Sequence, residues 1–291
     1  MPPLASELIE ATKRYLYSGY QDELNTLANV ITPVDTVINL GYDPQGVSRG
    51  TTIAIDLEEM FVWNVKERAL NVQRGMNGST AVGHLEGAMV HIKPKFTSFR
   101  ILQELNNELR DLSAPQNGMF RIMRADIAYN GAATSYDLPG DIISIQEVRA
   151  QDYDKRYPKI ESYEIIRNVP TSDFASGTGV ILHENGTPGR TVRVLYKAPF
   201  GLLTTLTDDV PLVTGLPDTA IDIPPMGAAL RLVAPREVKR NFIESQGEPR
   251  RAEEVPPNAI QSSLRGLGSL RMQRILSEAT RLAAQYPIVR P

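Results

Sequence analysis

The chain has 291 residues, no cysteine, and 31 Lys and Arg against 34 Asp and Glu, a net charge of −3. Apolar residues make up 42% and charged residues 22%, enough to bury a real core, which excludes disorder as a description of the whole chain. The lack of cysteine excludes a disulfide scaffold, a thiolate zinc site and a Cys nucleophile. Met1–Tyr20 shows no basic-then-apolar leader, and no apolar run approaches the ~20 residues that span a bilayer. The expectation is a soluble chain made in a reducing compartment, with no membrane partner. Charge is uneven: residues 1–230 carry 20 basic and 28 acidic side chains (−8), residues 231–291 carry 11 and 6 (+5). Such asymmetry points to an interacting C-terminal region rather than to a fold. The aromatic content, 7% with one Trp at position 63, argues against a stacking platform for nucleic acid.

In chain order, Ser6 is placed to cap a short helix with Leu8, Thr12, Tyr15 and Leu16 on one face, ended by Gly19. From Asn29 the texture changes to short strands: Thr36–Leu40, Thr51–Asp56, Met60–Val65, Leu70–Gln73 and Ala88–Ile92, broken by Gly and Pro. Five such strands suggest a small barrel or sandwich. Pro94 closes this block. Thr97 then caps a helix in which Phe99, Leu102, Leu105, Leu109 and Leu112 recur at spacings of three and four, stopped by Pro115 and Asn117-Gly118.

Residues 119–223 return to strands: Phe120–Ala125, Thr134–Leu138, Ile142–Arg149, Tyr163–Asn168, Gly179–His183 and Thr191–Tyr196. Asn-Gly pairs occur at Asn77, Asn117, Asn130 and Asn185. The last, between Val180–Leu182 and Val192–Leu195, reads as a hairpin turn, because a type I′ turn needs positive φ at both central residues. Pro224-Pro225 opens a helix over 225–246 in which Met226, Ala229, Leu230 and Val233 share a face, with a kink or restart at Pro235. A polar, Pro-bounded connector follows at 247–257. A last helix over 258–286 turns Leu264, Leu267, Ile275, Ala279, Leu282 and Tyr286 inward. The fold class expected is therefore α+β. An N-terminal helix and small β module occupy 1–95; a second domain occupies 96–291, with an antiparallel β module inserted into a helical core that ends in a helical pair.

Chemistry-bearing residues are few. His84, His91 and His183 lack the spacing of a zinc helix and have no acidic partner at ligand spacing, so no metal or cofactor is expected. Gly75-Met-Asn-Gly78 reads as a turn rather than a phosphate loop, since no Lys follows Gly78 and no helix begins there. Asp56, Glu58 and Glu59 form the densest acidic cluster. Asp56 and Glu58 could face one side as an acid/base or metal pair, but a solvated strand face is the plainer reading. On the last helix Arg271, Arg274 and Arg281 fall on one side with Glu278 among them. Either Arg–Glu pairs stabilise a solvated face, or the stripe meets an acidic partner.

Two stretches carry a resemblance. Residues 55–62, Ile-Asp-Leu-Glu-Glu-Met-Phe-Val, and 72–84, Val-Gln-Arg-Gly-Met-Asn-Gly-Ser-Thr-Ala-Val-Gly-His, resemble a small β module of tailed-bacteriophage virion proteins. Its pattern is an acidic strand followed by Arg-Gly-x-x-Gly-Thr-x-Ala-x-x-His, with Ser79 here in the place of Thr. From the 99–112 helix through Leu138-Pro-Gly-Asp-Ile-Ile and Glu253-Glu-Val-Pro-Pro to Gln285-Tyr-Pro, the layout is similar to head-to-tail adaptors of the tail-tubular-protein-A type.

The resemblance implies a structural virion protein of the phage neck with no catalytic residue. It implies a homo-oligomeric ring, twelve-fold by analogy with that family, below the portal protein and above a downstream tail protein, with DNA only passing through the channel during ejection. The place of action implied is the virion neck, after synthesis in the host cytoplasm. Candidate partner-interface residues are Arg271, Arg274, Arg281, Pro287, Ile288 and Val289; Asp208 and Asp209 are candidates for the lumen. A tail-fibre or baseplate protein and a virion-associated hydrolase are the alternatives, the latter resting on Asp56, Glu58 and Glu59.

Overall fold

The computed structural model describes residues 2–17, 22–131, 133, 135–183, 187–244 and 259–287, with the side chains of 235–244 and 259–261 excepted. The fold class is α+β. The chain divides into two compact units: residues 1–108, 202–213 and 221–271 form the first, and 109–201, 214–220 and 272–291 the second. No helix among the described residues is long and apolar enough to cross a membrane.

The first unit opens with helix α1 (Ala5–Leu16). Ser6 does not cap it: the N-cap is Leu4, without a side-chain bond, and the free amides of Ala5 and Ser6 donate to the carbonyls of Asp208 and Leu206. Backbone from a distant segment thus does the work expected of a hydroxyl. Gly19 lies outside the described residues.

Six strands follow: β1 (Glu23–Thr26), β2 (Val37–Asn39), β3 (Thr52–Ile55), β4 (Glu58–Lys66), β5 (Ala69–Gln73) and β6 (Met89–Ile92). They form an antiparallel sheet in the order β1-β6-β3-β4-β5-β2. A bridge between Leu27 and Leu40, just past β1 and β2, joins the two edges. The sheet therefore curls on itself as a small barrel. Five of the strands match expectation; β1, only four residues long, carries too weak an alternation to be read. Inside sit Ile38, Ile53, Ile55, Met60, Val62, Leu70, Val72, Val90 and Ile92, all buried.

Helix α2 (Ser98–Leu112) follows, and the Thr97 hydroxyl accepts the Arg100 amide at 3.2 Å as the N-cap expected of it. Its stop is also as read: the Asn117 side-chain amide donates to the Asp111 carbonyl and Gly118 takes a φ of +65°.

The second unit holds β7 (Arg121–Ala128), β8 (Ser135–Asp137), β9 (Ser144–Ala150), β10 (Lys159–Ile160), β11 (Tyr163–Arg167), β12 (Thr178–Leu182) and β13 (Thr191–Ala198). Two antiparallel sheets result, β10-β9-β13-β7 and β11-β12-β8. In β13, Val192, Val194, Tyr196 and Ala198 are buried and the residues between them half-buried, the period-2 signature of a strand with one face inward. Both sheets contribute to one core, with Tyr136, Val180 and Leu182 from one and Val148, Val194 and Tyr196 from the other. This is a sandwich. The expected hairpin around Asn185 does not form: β12 and β13 belong to different sheets, and Asn185 itself lies outside the described residues. Asn-Gly marks a turn, but which strands pair is decided by what each strand must cover.

After a short helix α3 (Val210–Thr214), α4 (Ile223–Glu244) starts with Pro224 and Pro225 in its first turn, where no amide is needed, and runs through Pro235 without a break. Helix α5 (Ala259–Gln285) is the last element, and Ile275 and Leu282 on it are buried.

Candidate functional site

The densest polar constellation lies at one end of the barrel. Glu58 opens β4 on the parity of Met60 and Val62, whose side chains fill the barrel, and it is completely buried. Every lone-pair direction of its carboxylate is used. Arg74 clamps it two-pronged, Nε to Oε1 at 2.6 Å and Nη2 to Oε2 at 2.7 Å. The amides of Gly75 and Val82 donate at 3.2 Å each, and His84 Nε2 at 3.0 Å. Across the imidazole, Nδ1 meets Asp56 Oδ2 at 3.1 Å. Asp56 itself sits in the β3–β4 turn at a φ of +53°.

The ionisation follows from these contacts. Burial disfavours the His84 imidazolium, but the hydrogen bonds to Asp56 and Glu58 outweigh it and hold the pKa up at about 9. Burial likewise opposes the Glu58 carboxylate, and the bonds from Arg74, His84 and the Val82 amide bring its pKa down to about 2. At neutral pH the network is two cations between two anions, and the imidazolium donates from both nitrogens.

Glu59 is also buried but, as the next residue of a strand, points to the opposite side of the sheet. Its Oε2 accepts from Asn77 Nδ2 at 2.5 Å, and its Oε1 from the Thr97 hydroxyl. Its amide donates to Ser79 Oγ at 2.9 Å. Glu58 and Glu59 thus tie down one loop from both sides: Arg74, Gly75, Asn77, Val82 and His84 bond to one carboxylate or the other, and Ser79 to the Glu59 backbone. The reading of Asp56, Glu58 and Glu59 as a solvated strand face is corrected, since only Asp56 is exposed. The reading of His84 as lacking an acidic partner is corrected too: its partners stand 26 and 28 residues away in sequence. Both Glu58 oxygens are occupied, and among the described residues the imidazole bonds to Asp56 and Glu58 rather than to a hydroxyl. Among the described residues no group of three His, Asp or Glu is arranged to hold a metal ion. His91 stands apart near Asp22 at 3.4 Å, and His183 is half-exposed with Glu164 at 3.9 Å.

The other sequence candidates are placed as follows. Arg271 Nε bonds Glu108 Oε1 at 2.5 Å, and Arg231 Nε bonds its Oε2 at 3.2 Å. Glu108 is nearly fully buried; burial raises its pKa, with Arg271 and then Arg231 pulling against it. Arg274 donates to the Thr219 carbonyl at 2.6 Å and lies 3.7 Å from Glu278; Arg281 Nε bonds Glu278 at 2.8 Å. The three arginines are therefore engaged within the chain, and sequence spacing could not reveal Glu108 as a partner. The Pro287 carbonyl accepts from Gln146 Nε2 at 2.6 Å; Ile288 and Val289 lie outside the described residues. Asp208 caps its own turn through the Thr204 and Thr205 amides at 2.6 and 3.0 Å, and Asp209 accepts the Leu212 amide at the start of α3.

Compared with known proteins, the chain matches no protein-family model and no curated protein.

Proposed function

We propose that the chain is a structural subunit of a ring-shaped head-to-tail adaptor in a tailed-phage virion, set between the portal and a downstream tail protein around the path of the DNA. The observation that carries this reading is the layout: a β sandwich, Arg121–Ala198, inserted between helix α2 and helices α3 to α5. That is the arrangement the resemblance implies. The phrase-level similarity also gains a physical content, because the acidic strand and the Arg-Gly…His segment are each other's hydrogen-bond partners. A scaffold role accounts for the buried carboxylates, whose oxygens hold a loop rather than await a substrate.

Negative-stain imaging of the purified full chain tests the proposal. Rings with a central opening are expected. Trimeric fibres would point instead to a tail-fibre or baseplate protein. A featureless monomer with hydrolytic turnover that disappears in Asp56→Ala/Glu58→Ala/Glu59→Ala while the fold persists would point to a virion hydrolase.

A further inference from the structure

The loop end of the barrel presents a cluster of large apolar side chains to solvent. Ile31 and His84 form an antiparallel bridge with both backbone bonds made, at 2.9 and 3.0 Å. Both side chains are buried, so their neighbours Val30 and Leu85 lie opposite each other on the outward side. Val30 is 60% exposed and Leu85 74%. Val34 at 85%, and Val82, half-exposed, flank them on the same two segments. Apolar patches of this kind on a monomer mark a binding surface.

This patch is held rigid from below. Arg74, besides clamping Glu58, donates to the carbonyls of Thr32, Asp35 and Val82, and Glu58 accepts the Val82 amide. A buried ion network is a weak source of net stability compared with apolar packing. What this one does is fix the backbone under four exposed apolar residues, and preordering of that kind lowers the entropy lost on binding. The rim has one sign. Residues 27–36 and 80–89 contain Asp35 and Glu86 and no Lys or Arg, while the network of Asp56, Glu58, Arg74 and His84 is internally neutral.

Helix α5 carries exposed apolar side chains of its own. Glu278, its only carboxylate, is buried. Beside the buried stripe of Ile275 and Leu282 stand Met272 and Leu276, 47% and 60% exposed. Arg265, seven residues before Met272, falls on the same side and is exposed. This ridge is distinct from the side that carries Arg271 and Glu278. An apolar patch with an acidic rim and an apolar ridge with a basic flank thus occur in one chain.

We propose that the barrel patch of one copy (Val30, Val34, Val82, Leu85) docks on the exposed α5 ridge of the next copy (Met272, Leu276, Arg265), as the repeated contact of the assembly. Two unlike patches make a heterologous contact, the kind that closes into rings. The inference rests on the ring reading above and adds which surfaces meet.

Four full-length samples test it by light scattering after size exclusion: wild type, the patch variant Val34→Asp/Leu85→Asp, the ridge variant Met272→Asp/Leu276→Asp, and an equimolar mixture of the two variants. All altered positions are exposed, so circular dichroism should be unchanged. Wild type should assemble, and each variant alone should be monomeric, its association at least tenfold weaker. The mixture should form dimers and nothing larger, because it contains one intact patch facing one intact ridge. Variants that assemble like wild type would overturn the docking claim and leave the ring reading standing, as would a mixture that stays monomeric. Monomeric wild type would overturn both.

Discussion

The two β modules of this chain solve one problem by different means. The barrel fixes its loops with buried polar and charged groups: Glu58, Glu59, Ser79 and His84 are all buried there. The sandwich carries ion pairs nearer its surface, where Arg193 and Arg124 share Asp126 at 3.0 and 3.4 Å and Arg149 pairs with Glu147 at 2.8 Å. Its interior is filled instead by Val148, Val180, Val194 and the rings of Tyr129, Tyr136 and Tyr196. A strand needs only alternation to find its place, so a sandwich of strands needs little else. The loop from Arg74 to His84 has few apolar residues to bury, and carboxylates from a neighbouring strand do that work through its amides and cationic side chains.

The contrast predicts unequal responses to losing one carboxylate. Glu58→Ala strands Arg74 and His84 as buried cations and should cost about 3–5 kcal/mol. Hydrogen exchange read by mass spectrometry should show lost protection in residues 74–84 and 31–36 first. Asp126→Ala, a surface pair, should cost less than about 1 kcal/mol. Equal losses from the two variants would erase the distinction.

The same network makes the barrel sensitive to pH at both ends. Glu58, with its folded pKa lowered to about 2 from 4.5, contributes stability above pH 4.5 that is lost as pH falls toward 2. His84, raised to about 9 from 6.5, contributes stability below pH 6.5 that is lost as pH rises through 9. Each loss is on the order of 3 kcal/mol when complete. Barrel protection should therefore be greatest between about pH 4.5 and 6.5, and His84→Gln should flatten the alkaline side. A barrel equally protected at pH 6 and pH 9.5 would contradict the charged imidazole.

Two glycines carry the comparison into the helices, where Glu108 is another buried carboxylate. A Cβ on Gly227 would stand 2.0 Å from the Glu108 carboxyl carbon, so Gly227→Ala should destabilise by about 1–3 kcal/mol. A Cβ on Gly266 of α5 meets nothing within 4 Å, and Gly266→Ala should stabilise the helix by roughly 0.5–1 kcal/mol. Thermal unfolding of the two variants should move in opposite directions.

What could be read from the sequence follows the same division. Strands of the sandwich, the α2 helix with its Thr97 cap, and the Pro-Pro start of α4 were legible because each is written in local periodicity or a cap. The pairing of strands was not: Asn185 invited a hairpin that the two-sheet arrangement overrides. Burial of Glu58 and Glu59 was also hidden, because acidic residues on a strand are solvated far more often than not. The clue lay in a coincidence of two distant phrases, the Glu-Glu strand and Arg74-Gly75 with His84, which composition alone cannot join. Likewise Arg271, Arg274 and Arg281 were placed on one helix face correctly, but Glu108, 163 residues from Arg271, was invisible to spacing.

Native mass spectrometry of the purified full chain, across a tenfold range of concentration, tests the ring assembly most directly. A closed ring gives one discrete species at a fixed multiple of the 32.2 kDa subunit, unchanged in copy number by dilution until it falls apart to monomer. A chain that remains at 32.2 kDa throughout, or a ladder of open-ended oligomers with no preferred size, would contradict the ring.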